Sequence, residues 1–373
     1  MPEEEKKLLI KRTILTISST RIVALAILAV VWLSLSAPVG AGQCIVSSKK
    51  ENSSAVEGYA KIQAICYHSH STSAVNSALS QTQYGKPIII SDDGAGATTS
   101  EVTEWSGLIA NAWQHYEHLD DTLVEAYGGG AQGGNIINGP EDFPADSITN
   151  LATMGSRATA LAPNGTLTRV GGELRWNGQR IKLMGFSWYG AMVGLNCDIN
   201  GYLDVLHSYG VNFTRVWVID MWTVLAEFNN WNNGLVPFSG SFGSYNLNQL
   251  NDAFFNRAKA FVDAAWARGI VVQLTIFDRC GLQCGLDFRF NHSPYNANNN
   301  IHDFLPNCTS GYPNFTGMDG TSIGNVNRPL IERLVSELRN RGNVIFEIMN
   351  EPGSSFSNLE AWHQWVADIV NAG

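Results

Sequence analysis

The chain has 373 residues, a length that suits one large enzyme domain, since an α/β barrel takes about 250 residues. Lys and Arg number 24 against 33 Asp and Glu, a formal net charge of −9, which argues against the basic stripe that nucleic acid requires. Only 15% of residues are charged and Gly, Asn and aromatic side chains are frequent, a composition that suits a neutral ligand such as a carbohydrate.

At the start of the chain, Lys6, Lys7, Lys11, Arg12 and Arg21 precede an apolar stretch at residues 22–35, and the small residues Ala37-Pro38-Val39-Gly40-Ala41 follow. This pattern predicts a secretory signal peptide or a signal anchor over residues 1–41. The apolar core is shorter than the roughly 20 residues of a spanning helix, which favours cleavage, while the long charged lead leaves membrane anchoring through residues 22–35 as the alternative. The expected location is therefore secreted, or membrane-anchored with the rest of the chain outside the cytoplasm. Residues 42–373 are read as a single domain.

In chain order, residues 43–48, 60–67 and 87–91 read as strands with helices between them. A helix over 100–111 leads into an expected strand over 112–119, and a Gly-rich connecting segment follows at 128–164. Residues 165–180 read as a short hairpin, with Trp176-Asn177-Gly178-Gln179 as a type I′ turn. Three strands come next, at 181–187, 211–219 and 270–277, each followed by loop and helix. The long loop at 280–326 is expected to shape one wall of a groove. After a helix over 329–341, the run Gly342-Asn343-Val344-Ile345-Phe346-Glu347-Ile348-Met349 has the near-continuous apolar character of a parallel strand covered on both faces. The helix at 358–371 then carries Leu359, Trp362, Trp365, Val366, Ile369 and Val370 at helical spacing.

Asn350-Glu351-Pro352 closes that buried strand. Pro352 donates no ladder hydrogen bond and biases Glu351 away from helical dihedrals, so the strand stops at a carboxylate on its C-terminal edge, where barrel enzymes place catalytic groups. The helix, the strand and its Asn-Glu-Pro end resemble the fourth-strand motif of clan-A glycoside hydrolases, typified by the family 5 cellulases and mannanases. The resemblance implies a (β/α)8 TIM barrel, with Glu351 as general acid/base and Asn350 binding the sugar hydroxyl beside the scissile bond.

That family has four further strands after this motif, with the nucleophile on the seventh. In this chain the strands at 43–48, 60–67, 87–91 and 112–119 resemble strands five to eight, which implies a circularly permuted barrel in the order five to eight, then one to four. The competing account is a chimera joining two hydrolase pieces. His68-Ser69-His70 resembles the His-x-Tyr end of the sixth strand, with His70 a departure, and both histidines become candidates for binding sugar or orienting the nucleophile. Lys86-Pro87 and the apolar run after it resemble the seventh strand, with Asp92 in the place of the nucleophilic Glu. Asp93 is the neighbouring candidate, but successive strand residues face opposite ways.

Arg215 resembles the second-strand Arg that holds the nucleophile's carboxylate. An Arg within an apolar strand needs a partner, so an inward acid is expected. Asp278 stands where the family often has a His, and hydroxyl binding and a salt bridge to Arg279 or to a loop are equally open to it. Trp113 and Trp188 are candidate sugar platforms, with Tyr189 and Trp222 also following strand ends.

The expected chemistry is retaining hydrolysis of a β-linked polysaccharide or oligosaccharide, with Glu351 and Asp92 about 5–5.5 Å apart. Asp92 is one methylene shorter than Glu and falls short of the sugar by on the order of 1.5 Å, so a carbohydrate-binding pseudoenzyme is the alternative. No phosphate loop, haem motif or metal cluster is evident in the sequence, and no cofactor is expected. Export makes the six cysteines candidates for disulfides, above all Cys280, Cys284 and Cys308, with the pairing open. Zinc at Cys280 and Cys284 is disfavoured, because no second close pair completes a four-ligand site. Sequons at Asn52, Asn164, Asn212, Asn307 and Asn314 are glycan acceptors if the host is eukaryotic, with Asn212 the poorest because it opens a strand.

Overall fold

The computed structural model describes the backbone at residues 41–46, 64–68, 88–91, 122–123, 145–170, 173–187, 190–195, 197–219, 234–284, 289–306, 308–350, 356 and 358–373. All of them belong to one unit, Gly40–Gly373. The strands are β1 (Ala41–Val46), β2 (Ala64–His68), β3 (Ile88–Ser91), β4 (Thr122–Leu123), β5 (Leu167–Val170), β6 (Glu173–Trp176), β7 (Gln179–Arg180), β8 (Met184–Ser187), β9 (Phe213–Trp217), β10 (Phe238–Ser239), β11 (Asn246–Leu250), β12 (Val271–Asp278) and β13 (Val344–Asn350). The helices are α1 (Ala145–Gly155), α2 (Ile199–Ser208), α3 (Asp252–Trp266), α4 (Arg289–His292), α5 (Ser322–Leu338) and α6 (Leu359–Ala372).

Eight strands hydrogen-bond in a closed ring, ordered β1-β13-β12-β9-β8-β4-β3-β2. From β2 through β3, β4, β8, β9 and β12 to β13 every pairing is parallel, so the C-terminal ends of these strands share one rim. Around the ring, neighbours follow chain order. The strands expected at 181–187, 211–219, 270–277 and 342–349 are present within a few residues. They form because β9, β12 and β13 are runs of apolar and β-branched residues buried along almost their whole length.

Three expectations need correction. The strand expected at 43–48 occurs as β1, but it runs antiparallel to both β13 and β2 rather than continuing a parallel barrel. A parallel crossover needs a helix with an apolar face, and residues 47–63 supply mainly Ser, Lys, Glu and Asn. The strand expected at 112–119 is replaced in the ring by Thr122–Leu123, in a β-branched and apolar run, while 112–119 itself lies outside the described residues. The helix expected from 329 begins at Ser322, where Thr321 Oγ1 accepts from Gly324 N at 3.0 Å and caps it, so Pro329 lies inside the helix. The connecting segment at 128–164 also contains α1. The predicted leader at 1–41, its apolar stretch at 22–35 and the helix at 100–111 lie outside the described residues, apart from Ala41 in β1. Among the described residues no helix is long and apolar enough to cross a membrane.

The hairpin at 165–180 is a three-stranded sheet of β5, β6 and β7. Asn177 (φ 52°) and Gly178 (φ 81°) both take the left-handed backbone that a type I′ turn demands. Leu167, Leu174 and Trp176 of this sheet pack with Ile181, Leu183, Phe213, Val271 and Ile345 in one buried cluster. Phe213, Val271 and Ile345 lie at the N-terminal ends of their strands, so the hairpin plugs the barrel floor. Gly185 lets β8 lie close against β9, because a Cβ there would stand 2.2 Å from the Phe213 carbonyl oxygen.

The main core lies between barrel and helices. α3 contributes Phe254, Phe255, Phe261 and Val262, and α6 contributes Trp362, Val366 and Ile369. Burying such side chains contributes about 1.5–3 kcal/mol each relative to exposure.

Candidate active site

At the level of Arg215 the barrel interior changes from apolar to charged. Arg215 and Glu347 are both fully buried. The guanidinium donates from Nε to Glu347 Oε2 and from Nη2 to Glu347 Oε1, each at 2.8 Å, the paired geometry in which Arg binds carboxylate best. Gln273 Nε2 and Thr275 Oγ1 also donate to Glu347 Oε2, at 2.9 and 2.6 Å. The guanidinium carbon lies 4.4 Å from the Trp217 ring centroid, so a flat cation rests on an aromatic face. Taking two charges out of water is costly, and this set of hydrogen bonds offsets that cost.

The strand register brings these groups together. Arg215 is opposite Gln273 in the β9–β12 pairing, and Thr275 is opposite Glu347 in the β12–β13 pairing. One step nearer the rim, Arg215 Nη2 donates to Asn350 Oδ1 at 2.8 Å, and Asn350 Nδ2 donates to Asp278 Oδ1 at 2.9 Å. Asp278 Oδ2 accepts from the Gly281 backbone N–H at 3.0 Å. A continuous polar chain therefore runs Glu347, Arg215, Asn350, Asp278 and ends at the loop after β12.

Of the residues expected in the site, Asn350, Arg215 and Asp278 come together in this chain. Among the described residues the acid paired with Arg215 is Glu347, whereas the contact expected with the nucleophile position, Asp92, lies outside them. The interactions described for Asp278 are with Asn350 and the Gly281 turn, and Arg279 lies over the Tyr312 ring, 5.2 Å from its centroid. His68 ends β2, with its backbone opposite Ser91. Glu351, Asp92, Asp93, His70, Trp113, Trp188, Tyr189 and Trp222 lie outside the described residues. Glu347, Gln273 and Thr275 were not among the residues expected from sequence. The signal for them was Glu347 itself, the single charge within Val344-Ile345-Phe346-Glu347-Ile348-Met349, four residues before Glu351.

The loop after β12 is built largely from its own side chains. Asn299 Nδ2 donates to the carbonyls of Asn291 and Ser293, and Asn300 Nδ2 to those of Pro294, Tyr295 and Asn296, which satisfies buried backbone that no sheet could. Cys284 pairs with Cys308, so Cys284 is not a thiolate free to bind zinc, and among the described residues no His, Cys, Asp or Glu cluster could hold a metal. Tyr295 is buried and donates its hydroxyl to Asn327, and burial raises its pKa well above the usual phenol value. It stacks edge-on with Phe315 beside Asp278, forming the apolar floor of a small cleft. Further along, Phe304, Cys308, Tyr312 and Asn314 line a cavity of about 390 Å³.

A family model described as Cellulase (glycosyl hydrolase family 5) matches residues 174–372. Among solved structures, a β-mannanase from the blue mussel Mytilus edulis matches at 16% identity over 52% of this chain, with a TM-score of 0.29. The match spans 46% of that mannanase chain. No curated protein matches. The family match takes in just over half of the chain, from the hairpin through α6, and includes Arg215, Asp278, Glu347 and Asn350; the chain belongs to glycosyl hydrolase family 5.

Proposed function

We propose that the protein is a retaining β-glycoside hydrolase acting on a neutral polysaccharide or oligosaccharide of the cellulose or mannan type. The observation that carries this reading is the clamp on Asn350, held between Arg215 and Asp278 at the last position of β13, immediately before Glu351. A carboxylate next to so tightly held a strand end suits a general acid/base, which must meet the glycosidic oxygen within hydrogen-bond reach.

In this reading Glu351 protonates the leaving oxygen and Asp92 attacks the anomeric carbon. Water then releases the glycosyl-enzyme as Glu351 takes back a proton, the two carboxyl groups standing about 5–5.5 Å apart. Asp92 follows β3 and Glu351 follows β13, strands whose C-terminal ends share one rim, which supports the pairing. The parallel run from β2 through β4 and β8 to β13, with the Asn-Glu-Pro end on β13, supports a circular permutation in which β2 to β4 take the places of strands six to eight and β8, β9, β12 and β13 those of one to four. β1 fills the gap of strand five but antiparallel to both neighbours, which counts against a fully parallel permuted barrel. His68, His70, Trp113 and Trp188 complete the sugar contacts. The Cys284–Cys308 disulfide supports an exported protein, secreted or anchored through residues 22–35.

The second reading is a sugar-binding pseudoenzyme, favoured by Asp at position 92, where the shorter side chain withdraws the nucleophile by on the order of 1.5 Å. Hydrolysis of a panel of β-linked glucans and mannans tests both. The hydrolase reading requires turnover that Glu351→Gln abolishes. Sugar binding without turnover, with activity appearing in Asp92→Glu, supports the pseudoenzyme. Turnover unchanged in Glu351→Gln contradicts the assignment of Glu351.

A further inference from the structure

Both ends of the Asn350 amide are engaged by charged neighbours of opposite sign. Its Oδ1 accepts from Arg215 Nη2, and its Nδ2 donates to Asp278 Oδ1. A guanidinium can only donate and an ionised carboxylate can only accept, so one of the two amide orientations is satisfied and the flipped one sets donor against donor and oxygen against oxygen. Arg215 holds the Oδ1 end and Asp278 the Nδ2 end, so the amide plane is held from both sides.

Asp278 is itself fixed from two directions. Its backbone is opposite Asn350 in the β12–β13 ladder, and its Oδ2 receives the Gly281 N–H. The bond to Asp278 uses one of the two Nδ2 protons of Asn350. The other is the donor that this amide can offer to a ligand on the rim.

We infer that Asp278 is a positioning residue, which acts on substrate through Asn350 by holding that amide so that its second Nδ2 proton is presented to the sugar hydroxyl next to the anomeric carbon. This rests on the hydrolase reading above. It gives the Asp278 carboxylate a role in holding Asn350 as well as the Gly281 turn. It also couples the amide to the loop that Cys284–Cys308 closes, since Gly281 is three residues from Cys284.

The test compares kcat/KM for aryl β-glycosides with and without the 2-hydroxyl, in wild type, Asp278→Ala, Asn350→Ala and the double variant. Each single variant is expected to lower the preference for the hydroxylated glycoside about tenfold, the worth of one hydrogen bond. The double variant should lose no more of that preference than Asn350→Ala alone, because the two residues act as one unit. Asp278→Asn retains an acceptor oxygen toward Asn350 and should restore most of the preference. Equal losses on both substrates that multiply in the double variant would show a structural role only and overturn the inference.

Wild type that hydrolyses no β-glycoside would defeat the hydrolase reading. The positioning would then be read from the side-chain amide resonance of Asn350 in asparagine-labelled protein, assigned by its loss in Asn350→Ala. A shift of that resonance in Asp278→Ala supports the inference, and an unmoved resonance overturns it.

Discussion

Glu347→Gln removes one charge and almost no volume, and the geometry lets its cost be worked out. Oε2 of Glu347 accepts from Arg215 Nε, Gln273 Nε2 and Thr275 Oγ1, and Oε1 accepts from Arg215 Nη2. A glutamine amide has one acceptor oxygen. If that oxygen takes the Oε2 position, its NH2 points at the Arg215 Nη2 protons; if it takes the Oε1 position, the NH2 faces three donors. Either orientation loses a charge-assisted hydrogen bond and leaves the fully buried Arg215 cation without its described counter-charge. Breaking a buried pair from one side costs about 3–5 kcal/mol. For a chain of this size, at about 2.1 cal/mol/K of unfolding entropy per residue, that lowers Tm by about 4–6 °C. Urea unfolding of wild type and variant, read at matched slope, measures it. The companion Arg215→Met with Glu347→Leu removes both charges and should lie closer to wild type than Glu347→Gln does. A Glu347→Gln variant within about 1 kcal/mol of wild type would refute the reasoning, because it would mean that Arg215 does not depend on Glu347 for neutralisation.

Three further outcomes are expected. Burial pushes His363 down to about 4 from 6.5, and its Nε2 has no hydrogen-bond partner among the described residues, so it stays neutral in the fold while the unfolded chain takes up a proton below about 6.5. Its contribution is therefore full above pH 6.5 and lost as pH falls toward 4, at most about 3 kcal/mol, and His363→Leu should flatten that part of a stability profile measured by urea unfolding. Burial, opposed by Arg257, pushes the Cys197 thiol up to about 12, so it remains protonated at neutral pH, and native labelling by a disulfide reagent should be the same in Cys197→Ala as in wild type. In a eukaryotic secretory host, mass spectrometry should find glycan on the exposed Asn164 and Asn314 and none on Asn212, which is buried and bonded through its side chain to Thr159, Lys182 and Met184.

Strands β9, β12 and β13 were legible because each is a run rich in apolar and β-branched residues, a signal carried by adjacent positions. The turn at Asn177-Gly178 was legible for the same local reason, since two positive φ angles select those residues. The two-residue strand β4 has no period to read and is defined by its neighbours β3 and β8. The direction of β1 could not be read from its own residues and is set by its antiparallel pairings with β13 and β2. Pro329 resembled a helix start, yet the cap is Thr321, whose partner Gly324 is ordinary in sequence. At the site, the need of Arg215 for an acid was readable, but identifying that acid as Glu347 required the β9–β12–β13 register, which joins residues 132 positions apart.

The separation between the carboxyl carbons of Glu351 and Asp92, measured in a crystal structure, decides whether these two groups form a catalytic pair. A retaining pair should face each other across one pocket on the rim shared by β3 and β13, about 5–5.5 Å apart. Carboxylates on opposite ends of the barrel, or separated by more than about 9.5 Å, would contradict both the permuted closure and the two-carboxylate mechanism.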